Sequence, residues 1–174
     1  ANIGVGDPLD SETQMGPQCS SSQYHKILEY IDIGNNEGAQ CLTGGERAQL
    51  DGHLENGYFL QPTVFSGNNK MRVFQEEIFG PVVAVLPFDD EADVLQAANG
   101  TPYGLAATVW TSSLGHAEAM IDGLQCGKIS VNSPGFPYPG LPEGGKKASG
   151  YGRDLGPESL DGYLHSKSVI FERS

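Results

Sequence analysis

Glu77 and Phe79 stand two residues apart in the stretch Glu76-Glu77-Ile78-Phe79-Gly80-Pro81. In an extended segment, residues two apart point to the same side. A carboxylate can accept two hydroxyl hydrogens from a ribose, and an aromatic face can pack against a ribose or a nicotinamide ring. The pair therefore suits a nucleotide. Read from composition alone, the same stretch is an acidic turn before a core strand, with a solvated glutamate beside a core phenylalanine, because most surface carboxylates are solvated and idle. Its position favours chemistry: directly behind it runs Val82-Val83-Ala84-Val85-Leu86, which reads as a buried strand. Strand entrances and exits in α/β folds are where polar groups meet ligands.

The elements that must hold such a pair can be read from the pattern. Residues 82–86 form a continuous apolar strand. Pro87-Phe88-Asp89-Asp90 turns and caps a helix with Val94, Leu95 and Ala98 on one face, and Asn99-Gly100 stops it. Residues 106–110 are the next strand. Ser112 or Ser113 caps a second helix, with Ala117, Met120, Ile121 and Leu124 inward and Gly127 at its end, and residues 128–131 are a third strand. Strand, helix, strand, helix, strand with continuous apolar strands predicts an α/β fold: a parallel sheet with flanking helices and right-handed crossovers. Upstream, residues 4–17 are broken by Pro and Gly. Ser20, Ser21 and Ser22 offer an N-cap, and Tyr24, Ile27, Leu28 and Ile31 repeat at i, i+3, i+4 and i+7, which predicts an amphipathic helix with His25 and Lys26 on its polar face. A short strand follows at 39–43. Residues 58–65 are rich in strand formers, but Pro62 demotes them to an edge or a broken strand.

The totals exclude several classes. The chain has 174 residues, 38% hydrophobic and 18% charged, which fits a folded domain with its own core. A net charge of -12 repels nucleic acid and anionic membrane surfaces. No apolar run reaches membrane-spanning length, and no basic-then-apolar signal opens the chain. Its first residue, Ala1, leads us to expect a processed or cut end. Cys19, Cys41 and Cys126 lack CxxC spacing and are odd in number, so a disulfide framework is not expected and a reducing cytoplasm is. His25, His53, His116 and His165 are scattered without ligand spacing, so no metal site is expected.

Residues 132–156 hold four Pro and seven Gly, with Phe136 and Tyr138 among them. A long loop after a strand's carboxyl end is where open α/β sheets place ligands. A short helical turn is expected at 157–164, and a late strand at 169–171 that must pair in its own sheet or a neighbour's.

Five stretches now line up. Glu76-Glu77-Ile78-Phe79-Gly80-Pro81 resembles a signature of the aldehyde dehydrogenase superfamily. So do Gly6-Asp7-Pro8 with Gly16-Pro17, Gly57-Tyr58-Phe59 with Pro62-Thr63-Val64, and Ala98-Asn99-Gly100-Thr101-Pro102-Tyr103-Gly104-Leu105-Ala106-Ala107. Gly144-Gly145-Lys146-Lys147-Ala148-Ser149-Gly150-Tyr151-Gly152-Arg153 completes the series, in the family's order and with comparable spacing. The likeness covers essentially the whole chain.

The resemblance implies a mechanism and a set of roles. In the family a cysteine thiolate attacks the aldehyde, amide donors stabilise the oxyanion, hydride leaves for the nicotinamide, and a glutamate-activated water hydrolyses the thioester. Glu77 would hold the nicotinamide ribose hydroxyls, and Phe79 would pack beside the nicotinamide end. Phe136 and Tyr138 would lie at the aldehyde entrance, either as a cage for a cationic amino-aldehyde or as plain apolar lining. Asn132, Lys147 and Arg153 would be structural ties. The family's nucleophile, general base and Gly-rich half would precede this chain, so no catalytic residue is expected in it. Residues 1–164 would be the C-terminal part of the catalytic domain and 165–174 an oligomerisation strand. NAD or NADP would be the cofactor, and the partner a second copy in a homo-oligomer, dimer or tetramer. Where relatives place an apolar residue before Gly-Gly, this chain has Glu143. A different class stays open beside this reading: a non-catalytic oligomerisation or regulatory module derived from the same fold.

Overall fold

The structure, a computed structural model, describes residues 3–173. Residues 1, 2 and 174, the outer ends of the two expected segments, lie outside the described residues. The chain divides after Pro87 into two units.

The first unit is built on helix α1 (Ser21–Asn36). The Ser20 side chain accepts from the Gln23 amide, which satisfies one of the orphan donors of the first turn. Ile27 and Ile31 are fully buried, as their spacing predicts, and the helix closes at Glu37 ahead of a left-handed Gly38. Strands β1 (Gln40–Thr43), β2 (Thr63–Ser66) and β3 (Val82–Val85) form one sheet, with the short helix α2 (Arg72–Gln75) between the last two. β2 lies in the middle, antiparallel to β1 and parallel to β3. Pro62 breaks the run 58–65 as expected, but the strand after it is central and not an edge. The ring sits just before the strand, where its missing N–H removes no ladder bond, and the Thr63 amide donates to the Pro81 carbonyl at 2.8 Å. Ile27, Ile31, Leu60, Phe65, Val73 and Ile78 make the core.

Two expectations for β3 are corrected. Among the described residues its ladder partner is β2 upstream, a pairing that the predicted run did not include. It is also not a buried strand: Val83 is 55% exposed and Val85 40%. Their neighbours Val82 and Ala84 are half-buried, so the alternation is that of a sheet with only one covered face.

The second unit carries α3 (Glu91–Asn99), β4 (Tyr103–Gly104), β5 (Ala106–Val109), α4 (Leu114–Gly123), β6 (Lys128–Val131) and β7 (Lys146–Lys147). Asp90 caps α3 by accepting from the Asp93 amide, and Ser113 caps α4 by accepting from the His116 amide. β5 and β6 pair in parallel across α4, the strand–helix–strand unit that the pattern predicts. Ala117 and Met120 are buried, but Ile121 is 47% exposed and does not face inward as expected. β4 and β7 pair antiparallel. Two residues are too few for a periodic signal, so the sequence gives no hint of this pair. The expected turn is a 3-10 helix at Pro157–Tyr163. Residues 169–171 form no strand among the described residues, since no ladder partner meets them, and Ile170 and Phe171 are almost wholly exposed.

Phe65→Ala removes a fully buried ring from the first unit's core. We expect it to cost about 3–5 kcal/mol, whereas Val83→Ala on the open face costs less than about 1 kcal/mol. Urea unfolding of the two variants, followed by circular dichroism, reads the contrast; equal losses would place Val83 in a covered core.

Candidate functional site

The segment 76–80 is held from α1 by residues at helical spacing. Gln23, Lys26 and Tyr30 lie three and four apart, so they line up along the helix. The Gln23 side-chain amide donates to the carbonyls of Ile78 (3.0 Å) and Phe79 (2.6 Å). Lys26 Nζ donates to the Glu77 carbonyl at 3.0 Å. The Tyr30 hydroxyl donates to Glu76 Oε2 at 2.7 Å. One helix edge thus grips four consecutive residues in reverse order.

Arg72 completes the grip. Its Nε and Nη2 each donate to Glu76 at 2.8 Å, a bidentate pair across one turn of α2. Its guanidinium also stands 5.5 Å from the centre of the Tyr30 ring. The hydrogen bonds from Arg72, then from Tyr30, hold the Glu76 carboxyl down at about 2. The same contact raises the Tyr30 hydroxyl, since ionising it would set two anions side by side.

The adjacent carboxylates have opposite fates. Glu76 is saturated by three donors. Glu77 is exposed, and its carboxylate has no partner among the described residues. Ile78 between the candidates is buried at 7% exposure, while Phe79 is 76% exposed. Glu77 and Phe79 thus flank an inward anchor, and Phe79 is not the core residue of the plainer reading. The backbone, however, is not simply extended: Phe79 has φ 58, a left-handed conformation that costs a bulky residue energy. The donor from Gln23 to its carbonyl and the tight seat of Gly80 hold it there.

Phe136 and Tyr138 lie in the second unit, both exposed, in the wall of a cavity of about 400 Å³ with Ser130, Leu141 and Glu143. Lys128 Nζ reaches Glu143 Oε1 at 2.7 Å in the same wall. The apolar residue expected at 143 is thus replaced by half of an ion pair, and Glu143 also exchanges backbone hydrogen bonds with Asp154. Lys147 Nζ donates to the carbonyls of Asn99 and Thr101, Arg153 Nη1 to those of Gly145 and Gly152, and Asn132 Nδ2 to that of Thr111. All three tie backbone segments together.

The three cysteines are free: Cys19 is exposed, and the half-buried Cys41 and Cys126 donate to the carbonyls of Thr43 and Lys128. Among the described residues no helix is long and apolar enough to cross a membrane. Sequence reasoning missed the brace around Glu76. The Arg72–Glu76 spacing of four and the row Gln23, Lys26, Tyr30 were available signals. The Lys128–Glu143 pair has no local signal, because fifteen residues separate its members.

Comparison with known proteins gives one family. The model described as "Aldehyde dehydrogenase family" matches residues 1–169. Acetaldehyde dehydrogenase 2 of Cupriavidus necator is 51% identical over 100% of this chain and 34% of its own length. Fluoroacetaldehyde dehydrogenase of Streptantibioticus cattleyicolor is 48% identical over 99% of this chain and 34% of its own. The crystal structure of betaine aldehyde dehydrogenase from Staphylococcus aureus in complex with NAD+ superposes with a TM-score of 0.89 at 40% identity, covering 95% of this chain and 33% of that one. An aldehyde dehydrogenase of Mycobacterium tuberculosis complexed with NAD+ gives 0.90 at 40% identity, with 98% and 35% covered. The chain spans about a third of the length of the curated relatives it matches.

The Glu76 brace makes a pH prediction. A carboxyl lowered from 4.5 to about 2 by folding stabilises the protein fully above its ordinary value, and that stability is lost as pH falls toward 2. Asp7 is also lowered, by the Leu9 amide and then by His53, so acid sensitivity is shared. Glu76→Gln should therefore lower the thermal midpoint at neutral pH and narrow its gap to the parent as pH falls from 4.5 to about 2. A gap that stays constant across that window would show that the folded carboxyl is not lowered.

Proposed function

The chain belongs to the aldehyde dehydrogenase family, and we propose that it is the C-terminal third of an NAD(P)-dependent enzyme that oxidises an aldehyde to a carboxylic acid. The observation that carries this reading is the pair at 77 and 79. A carboxylate with no partner among the described residues stands two residues from an exposed aromatic ring, on a backbone whose carbonyls are clamped from α1. Both groups remain available for a ligand, and their chemistry fits a ribose with an attached ring.

In this reading Glu77 accepts the hydrogens of two ribose hydroxyls, and Phe79 packs against the nicotinamide end. The cofactor, when bound, supplies the acceptor for hydride from the aldehyde carbon. The related structures with bound NAD+ favour NAD over NADP. Phe136 and Tyr138 line the entrance for the aldehyde, and the relatives named for acetaldehyde and fluoroacetaldehyde favour a short one. The attacking thiolate and the water-activating base belong to the remainder of the enzyme. Consistent with that, two thiols of this chain are engaged with backbone carbonyls. The uncovered apolar run Val169-Ile170-Phe171 serves as a strand added to a neighbouring subunit's sheet in a homo-oligomer.

The test is Glu77→Ala in the complete enzyme. Loss of two hydrogen bonds to an ionised acceptor should raise KM for NAD+ about tenfold or more and leave KM for acetaldehyde nearly unchanged. An unchanged KM for NAD+ would sink the cofactor role. Deleting residues 165–174 should reduce the oligomer's mass in light scattering; an unaltered mass would remove the strand from the interface.

A further inference from the structure

The cavity beside Phe136 and Tyr138 carries charges that an entrance for a plain alkyl aldehyde does not call for. In its wall Lys128 Nζ donates to Glu143 Oε1 at 2.7 Å, with the two side chains 19% and 37% exposed, so the pair is partly drawn out of water. Two apolar side chains of that size would hold the wall at least as well, because desolvating both charges offsets their attraction. Both members sit on a fixed frame. Lys128 opens β6, which is laddered to β5, and Glu143 exchanges backbone hydrogen bonds of 2.7 and 2.8 Å with Asp154. The ion pair uses only one of the carboxylate oxygens. Ser130 and Tyr138 line the same space, and their hydroxyls, like Glu143 Oε2, have no partner among the described residues. Open to water, these groups are solvated. A molecule that enters must replace those bonds or lose affinity.

We propose that the Lys128–Glu143 pair is a specificity-determining element that makes this entrance select a neutral, hydroxylated aldehyde over an alkyl or a charged one. The inference rests on the reading of Phe136 and Tyr138 as the aldehyde entrance. A substrate hydroxyl donates to the free oxygen of Glu143 and accepts from the ammonium of Lys128 or the hydroxyl of Ser130. An alkyl chain of the same length leaves all of them unpaired, and sites built to bond a hydroxyl discriminate strongly against analogues that lack it. The pair is neutral in sum. An amino-aldehyde brings its cation to Lys128, and a carboxylated aldehyde brings its anion to Glu143. Each charged class therefore meets a like charge that the hydroxylated one does not. Because β6 and the Asp154 bridge hold the two residues, the selection needs no rearrangement of the wall.

The experiment is steady-state kinetics of the complete enzyme with aldehydes matched in length. Lactaldehyde should exceed propanal in kcat/KM by about tenfold or more, with 3-aminopropanal and succinic semialdehyde below both. The double variant Lys128→Met/Glu143→Leu replaces the pair by apolar groups of similar size and should bring the ratio of lactaldehyde to propanal close to one. KM for NAD+ should stay within about twofold in that variant, since the pair is assigned no contact with the cofactor. Glu143→Gln keeps the shape and leaves Lys128 without its counter-charge, so it should raise kcat/KM for succinic semialdehyde about tenfold, and it reports even if the double variant fails to fold. A parent enzyme that prefers propanal overturns the proposal. So does a ratio of lactaldehyde to propanal that survives the double variant, with only the thermal midpoint lowered, which would make the pair merely structural. Phe136→Ala and Tyr138→Ala, measured in parallel, separate the two ideas. If they change kcat/KM for these aldehydes and the Lys128 and Glu143 variants do not, only the selective role of the pair fails. If none of the variants changes it for any aldehyde, the entrance reading fails and this inference with it.

Discussion

The close seat of Gly80 against Ile27 governs the architecture around the site. Ile27 is fully buried in the middle of α1, and any side chain at 80 would collide with it. That contact fixes how near the segment 76–80 comes to the helix. At this distance Ile78 drops into the core, and the polar edge of α1 falls within hydrogen-bond range of the carbonyls on either side. Were the segment an ångström or two farther out, Gln23 could not bridge two carbonyls, and water would take its place. Apolar packing sets the separation, and the polar contacts then fix the rotation and register.

The same geometry explains why two neighbouring glutamates differ. Glu76 lies on the side of Arg72 and Tyr30, where three donors converge on one carboxylate. Such a group is committed to structure, because any ligand would have to displace charge-assisted hydrogen bonds already made. Glu77 follows it, is turned out by the burial of Ile78, and meets no donor among the described residues. Sequence alone presents two identical side chains in a row. The assignment of one as brace and the other as free acceptor follows from which face of the backbone each occupies.

Much of the fold is legible in the sequence, because local signals and packing agree. The serine and aspartate caps, the i, i+3, i+4, i+7 stripe of α1 and the β5–α4–β6 unit are read directly from residue types and spacing. The left-handed Phe79 is not, since its conformation is imposed by contacts with a helix some fifty residues earlier. The one-sided burial of β3 is equally hidden. Val82-Val83-Ala84-Val85 reads the same whether both faces or one are covered, and only the packing of the chain tells them apart. At the site, the acidic stretch and the aromatic loop are visible as motifs. The ion pair of Lys128 with Glu143 and the grip on Glu76 are tertiary facts without a local period.

The brace has one further consequence for how the segment 76–80 is held. Each group that restrains Glu77 and Phe79 lies between residues 23 and 80, within the first unit. The core that seats α1 belongs to that unit as well. The position of the free carboxylate is therefore set by contacts that this unit supplies to itself. The backbone under Glu77 is thus held before anything meets its side chain. The left-handed strain at Phe79 is offset by the same contacts, so the aromatic ring is presented at a cost already met in folding.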